Sequence, residues 1–180
     1  PNIAIQMARD LAGKKNYPGA VGAVGRALSI DAAVQNDAHV ASLVFQTAQV
    51  KSSSDAAVAL MEGAMGARGA DIAYDLVTTP NVRPWVQTRA ETFLQSTGFE
   101  RVATLGLRGI VKLRYSAGCE EKKGLLPDLK KSSDERALFE LVPLQDKTGC
   151  GARKKDDCYT CLRTSNELDD TIAAVRARKR

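Results

Sequence analysis

Apolar residues recur along this chain at helical spacing. In NIAIQMARDLA, Ile3, Met7 and Leu11 stand at i, i+4 and i+8, one face of a helix, and GKKN breaks it. Pro18 suits the first turn of a second helix that Asn16 can cap, with Val21, Val24 and Leu28 on its apolar face. After QND the pattern resumes through Val40, Leu43, Val44 and Ala48. Ser54 is placed to cap a helix holding Val58, Leu60 and Met61, followed by a bend at Gly63, Gly66 and Gly69. Ile72, Leu76 and Val77 follow, up to Pro80. Asn81 is the expected cap of the next helix, whose stripe is Trp85, Val86, Ala90, Phe93 and Leu94, with Gly98 as its stop. A helix through Val102, Leu105, Ile110, Val111 and Leu113 is expected next, then a shorter one near Leu125, Leu126 and Leu129 that Ser132 and Ser133 break. Asp134 opens ERALFELVPLQ, and after a cysteine-bearing loop a last helix carries Leu168, Ile172 and Val175.

The pattern predicts about ten helices and no strand with period-2 alternation. Short polar breaks favour antiparallel neighbours. The expected fold is therefore all-α, an α–α superhelix of stacked helix pairs closed by a cysteine-stapled C-terminal cap. One helical-repeat domain over 1–180 is expected, in three parts: 1–50, 51–145 and the cysteine-rich loop with its capping helix, 146–180.

Composition agrees with this picture. Aromatic residues make up only 5% of the 180, while alanine is abundant, which suits closely packed helices better than a β-sandwich. No apolar run of residues reaches the length of a membrane span. PNIAIQMARD has neither a charged n-region nor an apolar core, so it does not read as a signal peptide. The chain begins at Pro1, which leads to the expectation that it is a processed piece of something longer. Net charge is +5, but the charges are scattered, apart from RKK at 153–155 and RARKR at 176–180. A solvated surface explains this better than nucleic-acid binding, which usually pairs basic stripes with stacking aromatics.

Catalytic signatures are weak. His39, the single histidine, has no local Ser–His–Asp pattern and reads as a surface or capping residue. Gly19, Gly22 and Gly25 follow no strand and precede no Lys-Ser or Lys-Thr, so they read as small residues that let a second helix approach. The acidic pairs Glu120–Glu121, Asp156–Asp157 and Asp169–Asp170 are adjacent in sequence and face apart on a helix. Asp156 and Asp157 are expected to cap a short helix starting near Cys158. Trp85, in register with Phe93, is expected in the core and not against a nucleic-acid base.

The strongest chemical signal is GCGARKKDDCYTCLR, 149–163, with Cys150, Cys158 and Cys161; the fourth cysteine is Cys119. A structural zinc bound by Cys119, Cys150, Cys158 and Cys161 is the alternative reading, although only one CxxC knuckle is present. Redox chemistry at CYTC lacks a βαβ context. Two disulfides account for the even count. Four cysteines allow three pairings, among which Cys119–Cys161 with Cys150–Cys158 is preferred here. Disulfides would place the chain in the periplasm or elsewhere outside the cytoplasm; zinc or free thiols would place it in the cytoplasm.

Two segments carry repeat character. ARDLAGKKNYPGAVGAVGRALSIDAAVQND resembles a tetratricopeptide (TPR) unit through Y-P-G-A and the closing A-L-x-x-D, and VRPWVQTRAETFLQSTG resembles half of a HEAT-type unit. Together with the cysteine cluster, residues 10–175 are similar to helical-repeat regions at the C-terminal ends of large bacterial signalling proteins of the eukaryotic-like serine/threonine kinase type. The chain has no Gly-rich ATP loop, H-R-D or D-F-G motif of a kinase domain. The resemblance implies a non-catalytic interaction, scaffold or regulatory role with a protein partner and no cofactor. A basic helical repeat that binds nucleic acid is the alternative.

Overall fold

The computed structural model describes residues 2–178, which are helical throughout apart from loops and one isolated bridge. The chain divides into two compact units, Pro1–Ala103 and Thr104–Arg180, where the sequence suggests one domain with internal parts.

Among its described residues the first unit holds seven α-helices: α1 (Asn2–Gly13), α2 (Tyr17–Ile30), α3 (Ala38–Ala48), α4 (Ser54–Glu62), α5 (Gly66–Thr78), α6 (Pro84–Leu94) and α7 (Thr97–Val102). A 3-10 turn, Ala32–Asn36, joins α2 to α3. From α1 to α6 each helix packs against the next one in sequence. The pairs α1 and α3, α2 and α4, α3 and α5, and α4 and α6 also touch. Alanine makes this closeness affordable: Ala20, Ala23, Ala27, Ala48, Ala57 and Ala70 are fully buried among Val24, Val44, Met61, Met65, Tyr74 and Leu76. At the C-terminal end, Phe93 and Phe99 meet edge to face with centroids 6.0 Å apart.

Local signals operate largely as read. Asn16 accepts from the Gly19 amide at the head of α2, and Pro18 sits in the first turn. Gly66, at φ +48°, makes the bend into α5. Gly69 serves another purpose: a Cβ there would lie 2.1 Å from the Met61 carbonyl oxygen, so this is the position where backbone packs on backbone. Gly22 faces solvent instead, so the close approach expected along Gly19, Gly22 and Gly25 is carried by the buried alanines of α2.

Several expectations change. Trp85 is 43% exposed. The buried stripe of α6 is Val86, Ala90, Phe93 and Leu94, and Trp85 stands one residue, about 100°, away from it. On α1 the Ile3 and Met7 side is exposed, while Ala8 is buried. Ser54 is the first residue of α4, not its cap, and its buried hydroxyl has no partner among the described residues. Asn81 takes a left-handed φ of 64° in the turn before α6, whose cap position is Arg83 and whose first residue is Pro84. Gly98 lies inside α7, and Ser96 caps that helix by accepting from the Phe99 amide.

The second unit contains α8 (Leu105–Tyr115), α9 (Cys119–Ser132), α10 (Ala137–Leu141) and α11 (Glu167–Arg176), with 3-10 turns at Val142–Gln145 and Thr160–Arg163. The single helix expected through Val102 and Leu113 is thus two, because Thr104 leaves helical geometry and accepts from the Leu107 amide. α9 is central and packs on α8, α11 and the Thr160–Arg163 turn. It runs through Pro127, whose helix-breaking effect that packing overrides. The core gathers Leu107, Ile110, Leu113, Leu126, Leu129, Leu141, Leu168, Ile172 and Val175. Lys122 is buried too. Its ammonium donates to the Leu113 carbonyl at 2.7 Å and to the Ser116 hydroxyl at 3.2 Å, and burial pushes its pKa down. No helix of the described residues is long and apolar enough to cross a membrane.

Candidate functional site

The cysteine segment has little apolar content of its own, so its shape comes from covalent bonds, turns and one arginine. Cys119, at the start of α9, is bonded to Cys161 in the Thr160–Arg163 turn, with Cα atoms 6.0 Å apart. Cys150 is bonded to Cys158, at 5.1 Å. This is the pairing preferred from the sequence. Disulfide sulfurs are not thiolates, so the zinc reading of Cys119, Cys150, Cys158 and Cys161 gives way in this structure, as does a redox-active dithiol in its reduced form. No group of three or more His, Cys, Asp or Glu among the described residues is arranged to hold a metal.

Inside the smaller ring, Cys150 and Asp156 exchange both backbone hydrogen bonds, at 3.0 and 3.1 Å, as an isolated antiparallel bridge. Gly151 at φ +73° and Lys154 at φ 52° make the turn that this bridge closes. Arg153, Lys154 and Lys155 therefore stand exposed on one tight tip. Of the basic C-terminus, Lys179 and Arg180 lie outside the described residues.

Arg163 holds the base of the segment. Its Nε donates to Asp157 at 2.8 Å, and its Nη2 donates to the carbonyls of Leu144 and Asp146 at 2.9 and 2.8 Å. Asp157 also accepts from the Tyr159 amide at 2.7 Å. The Arg163 hydrogen bond, then that amide, hold the Asp157 carboxyl below its ordinary range. Asp146 is lowered as well, by the hydroxyl and the amide of Thr148. Asp156 and Asp157 thus do not cap a helix at Cys158. One is paired in the bridge, and the other is the counterion of Arg163, because the turn starts only at Thr160.

Sequence reasoning missed Arg163. It lies six residues from Asp157, a spacing that belongs to neither helix nor strand, and the chain turns through Thr160–Arg163 to bring the two together. His39 is exposed in the first turn of α3, where its backbone amide donates to Asp37 at 2.7 Å. Glu120 and Glu121 occupy the first turn of α9. Asp169 accepts from Gln145, and Asp170 lies 3.8 Å from Lys130.

Three surface features could meet a partner: the cationic tip, the exposed Ile3 and Met7 side of α1, and a groove of about 430 Å³ between α8 and α9 lined by Leu105, Arg108, Leu125 and Lys131. Compared with known proteins, the chain matches no family model, no curated protein and no solved structure. The two disulfides favour an oxidising compartment outside the cytoplasm.

Proposed function

We propose that this chain is a non-catalytic protein–protein interaction module, a scaffold or regulatory part of a larger bacterial signalling protein of the serine/threonine kinase type. On this reading its first unit is an α–α superhelix that begins TPR-like and continues HEAT-like. The observation that carries the proposal is the packing of that unit. Each helix from α1 to α6 meets its neighbour, and contacts between next-but-one helices accompany this, the arrangement that stacked helix pairs use to build a binding surface. Exposed apolar residues on α1, Ile3 at 86% and Met7 at 47%, fit such a surface. Three of the perturbed titratable groups fit it too, since Lys122, Asp146 and Asp157 are engaged in holding helix ends and turns.

The test is crosslinking of the oxidised chain to its neighbours in the source cell, followed by mass spectrometry. A specific protein partner is expected; no partner, together with a robust enzymatic activity of the chain, defeats the reading. Nucleic-acid binding is the second reading, favoured by the clustering of Arg153, Lys154 and Lys155 on one tip and by the exposure of Trp85. It requires duplex binding that weakens steeply with salt, and absence of binding at low salt removes it.

A further inference from the structure

α8 and α9 run antiparallel. Gly106 lies against the Ser132 backbone, where a Cβ would come 2.4 Å from the Ser132 oxygen, and at the other end Lys122 reaches the Leu113 carbonyl. Between these two anchor points the helices leave a groove. Leu105, Arg108 and Lys112 recur at i, i+3 and i+7 along α8, about 10 Å or two turns. Leu125, Asp128 and Lys131 face them from α9. Gly109 keeps the floor low, since even a Cβ there would sit 3.2 Å from Leu129 Cδ2.

The walls are aliphatic and the rim is cationic. Leu105 is 70% exposed, a large apolar side chain left in solvent at the groove's edge. Arg108 and Lys131 line the groove together with one carboxylate, Asp128. The Arg108 Nε is buried and has no hydrogen-bond acceptor among the described residues. A buried donor without an acceptor is costly, and because Arg108 also lines the groove, a carboxylate brought by a ligand would pair with its guanidinium in a charge-assisted bond.

We propose that this groove is the docking site for a short acidic amphipathic helix of the protein partner, with leucine-sized side chains between Leu105 and Leu125 and carboxylates on Arg108 and Lys131. The inference rests on the interaction reading above and names the chemistry of the partner. Aliphatic walls favour a peptide over nucleic acid, whose bases seek aromatic faces.

The test is fluorescence anisotropy with the oxidised chain and a labelled peptide made of two repeats of Glu-Glu-Leu-Leu-Glu-Glu-Leu, at about 50 mM salt, where screening is modest. Saturable binding is expected, with no binding of the counterpart carrying lysine at each glutamate. Arg108→Glu and Lys131→Glu should each weaken it about tenfold, and Leu105→Glu at least as much. Leu105 and Lys131 are exposed, so those two variants should keep the wild-type melting curve even if Arg108→Glu does not. No saturable binding, binding indifferent to Leu105→Glu and Lys131→Glu, or displacement of the peptide by duplex DNA through the same residues overturns the proposal. A cellular partner captured equally well by the Leu105→Glu/Lys131→Glu variant overturns the groove but leaves the interaction reading intact. No captured partner together with a robust enzymatic activity of the chain defeats that reading, while the peptide titration still judges the groove.

Discussion

Asp157 shows how a single side chain ties the cysteine segment to pH. Its carboxyl is lowered by the hydrogen bond from Arg163 and by the Tyr159 amide. A depressed carboxylate stabilises the fold at pH values above its unfolded pKa of 3.8, and that contribution is lost as pH falls through the lower folded value. Asp157→Asn should therefore melt below wild type at neutral pH, and the two curves should converge well below pH 3.8; a gap that persists in acid would show that the carboxylate charge is not what matters. Legibility at this scale follows locality. Asn16 and Pro18 were readable because a cap acts within three residues. Trp85 was misread because a helical window does not fix the edge of a stripe to one residue, and Arg163 was unreadable because its partners include backbone carbonyls 17 and 19 residues away.

Among the elements, the contact of α4 with α5 is the one most sensitive to a single atom. Gly69 lies in a helix, where alanine is intrinsically better by about 1 kcal/mol. Its Cβ would meet the Met61 backbone, not a side chain that can swing away, so overpacking should dominate. Gly69→Ala is expected to destabilise the first unit by about 3 kcal/mol. Urea unfolding would measure this, and a neutral or stabilising result would mean that α5 can shift off α4. Helix existence was legible for the longer helices because apolar spacing is strong. Helix borders were less so: the run from Val102 to Leu113 reads as one helix, and only Thr104, with its side-chain oxygen on the Leu107 amide, divides it.

For the molecule as a whole, the division after Ala103 coincides with that same break and was hidden by it. The all-helical class and the disulfide chemistry were open to reading from spacing and count, whereas the order in which helices touch depends on three-dimensional packing. The two crosslinks should contribute unequally. Cys119 and Cys161 are 42 residues apart and Cys150 and Cys158 only 8, which on loop-closure grounds corresponds to about 4 and about 2.5 kcal/mol. Cys119→Ser with Cys161→Ser should lower the denaturation midpoint of the second unit more than Cys150→Ser with Cys158→Ser, and the reverse order would show that the small ring anchors more than its own loop. The cationic tip has one further consequence, for proteolysis. Trypsin cuts after arginine and lysine, and Arg153, Lys154 and Lys155 project from a turn enclosed by both bridges. A chain nicked there should still migrate as one species on a non-reducing gel and fall into two fragments when reductant is added, so the backbone can be severed at this exposed tip while the molecule remains in one covalent piece.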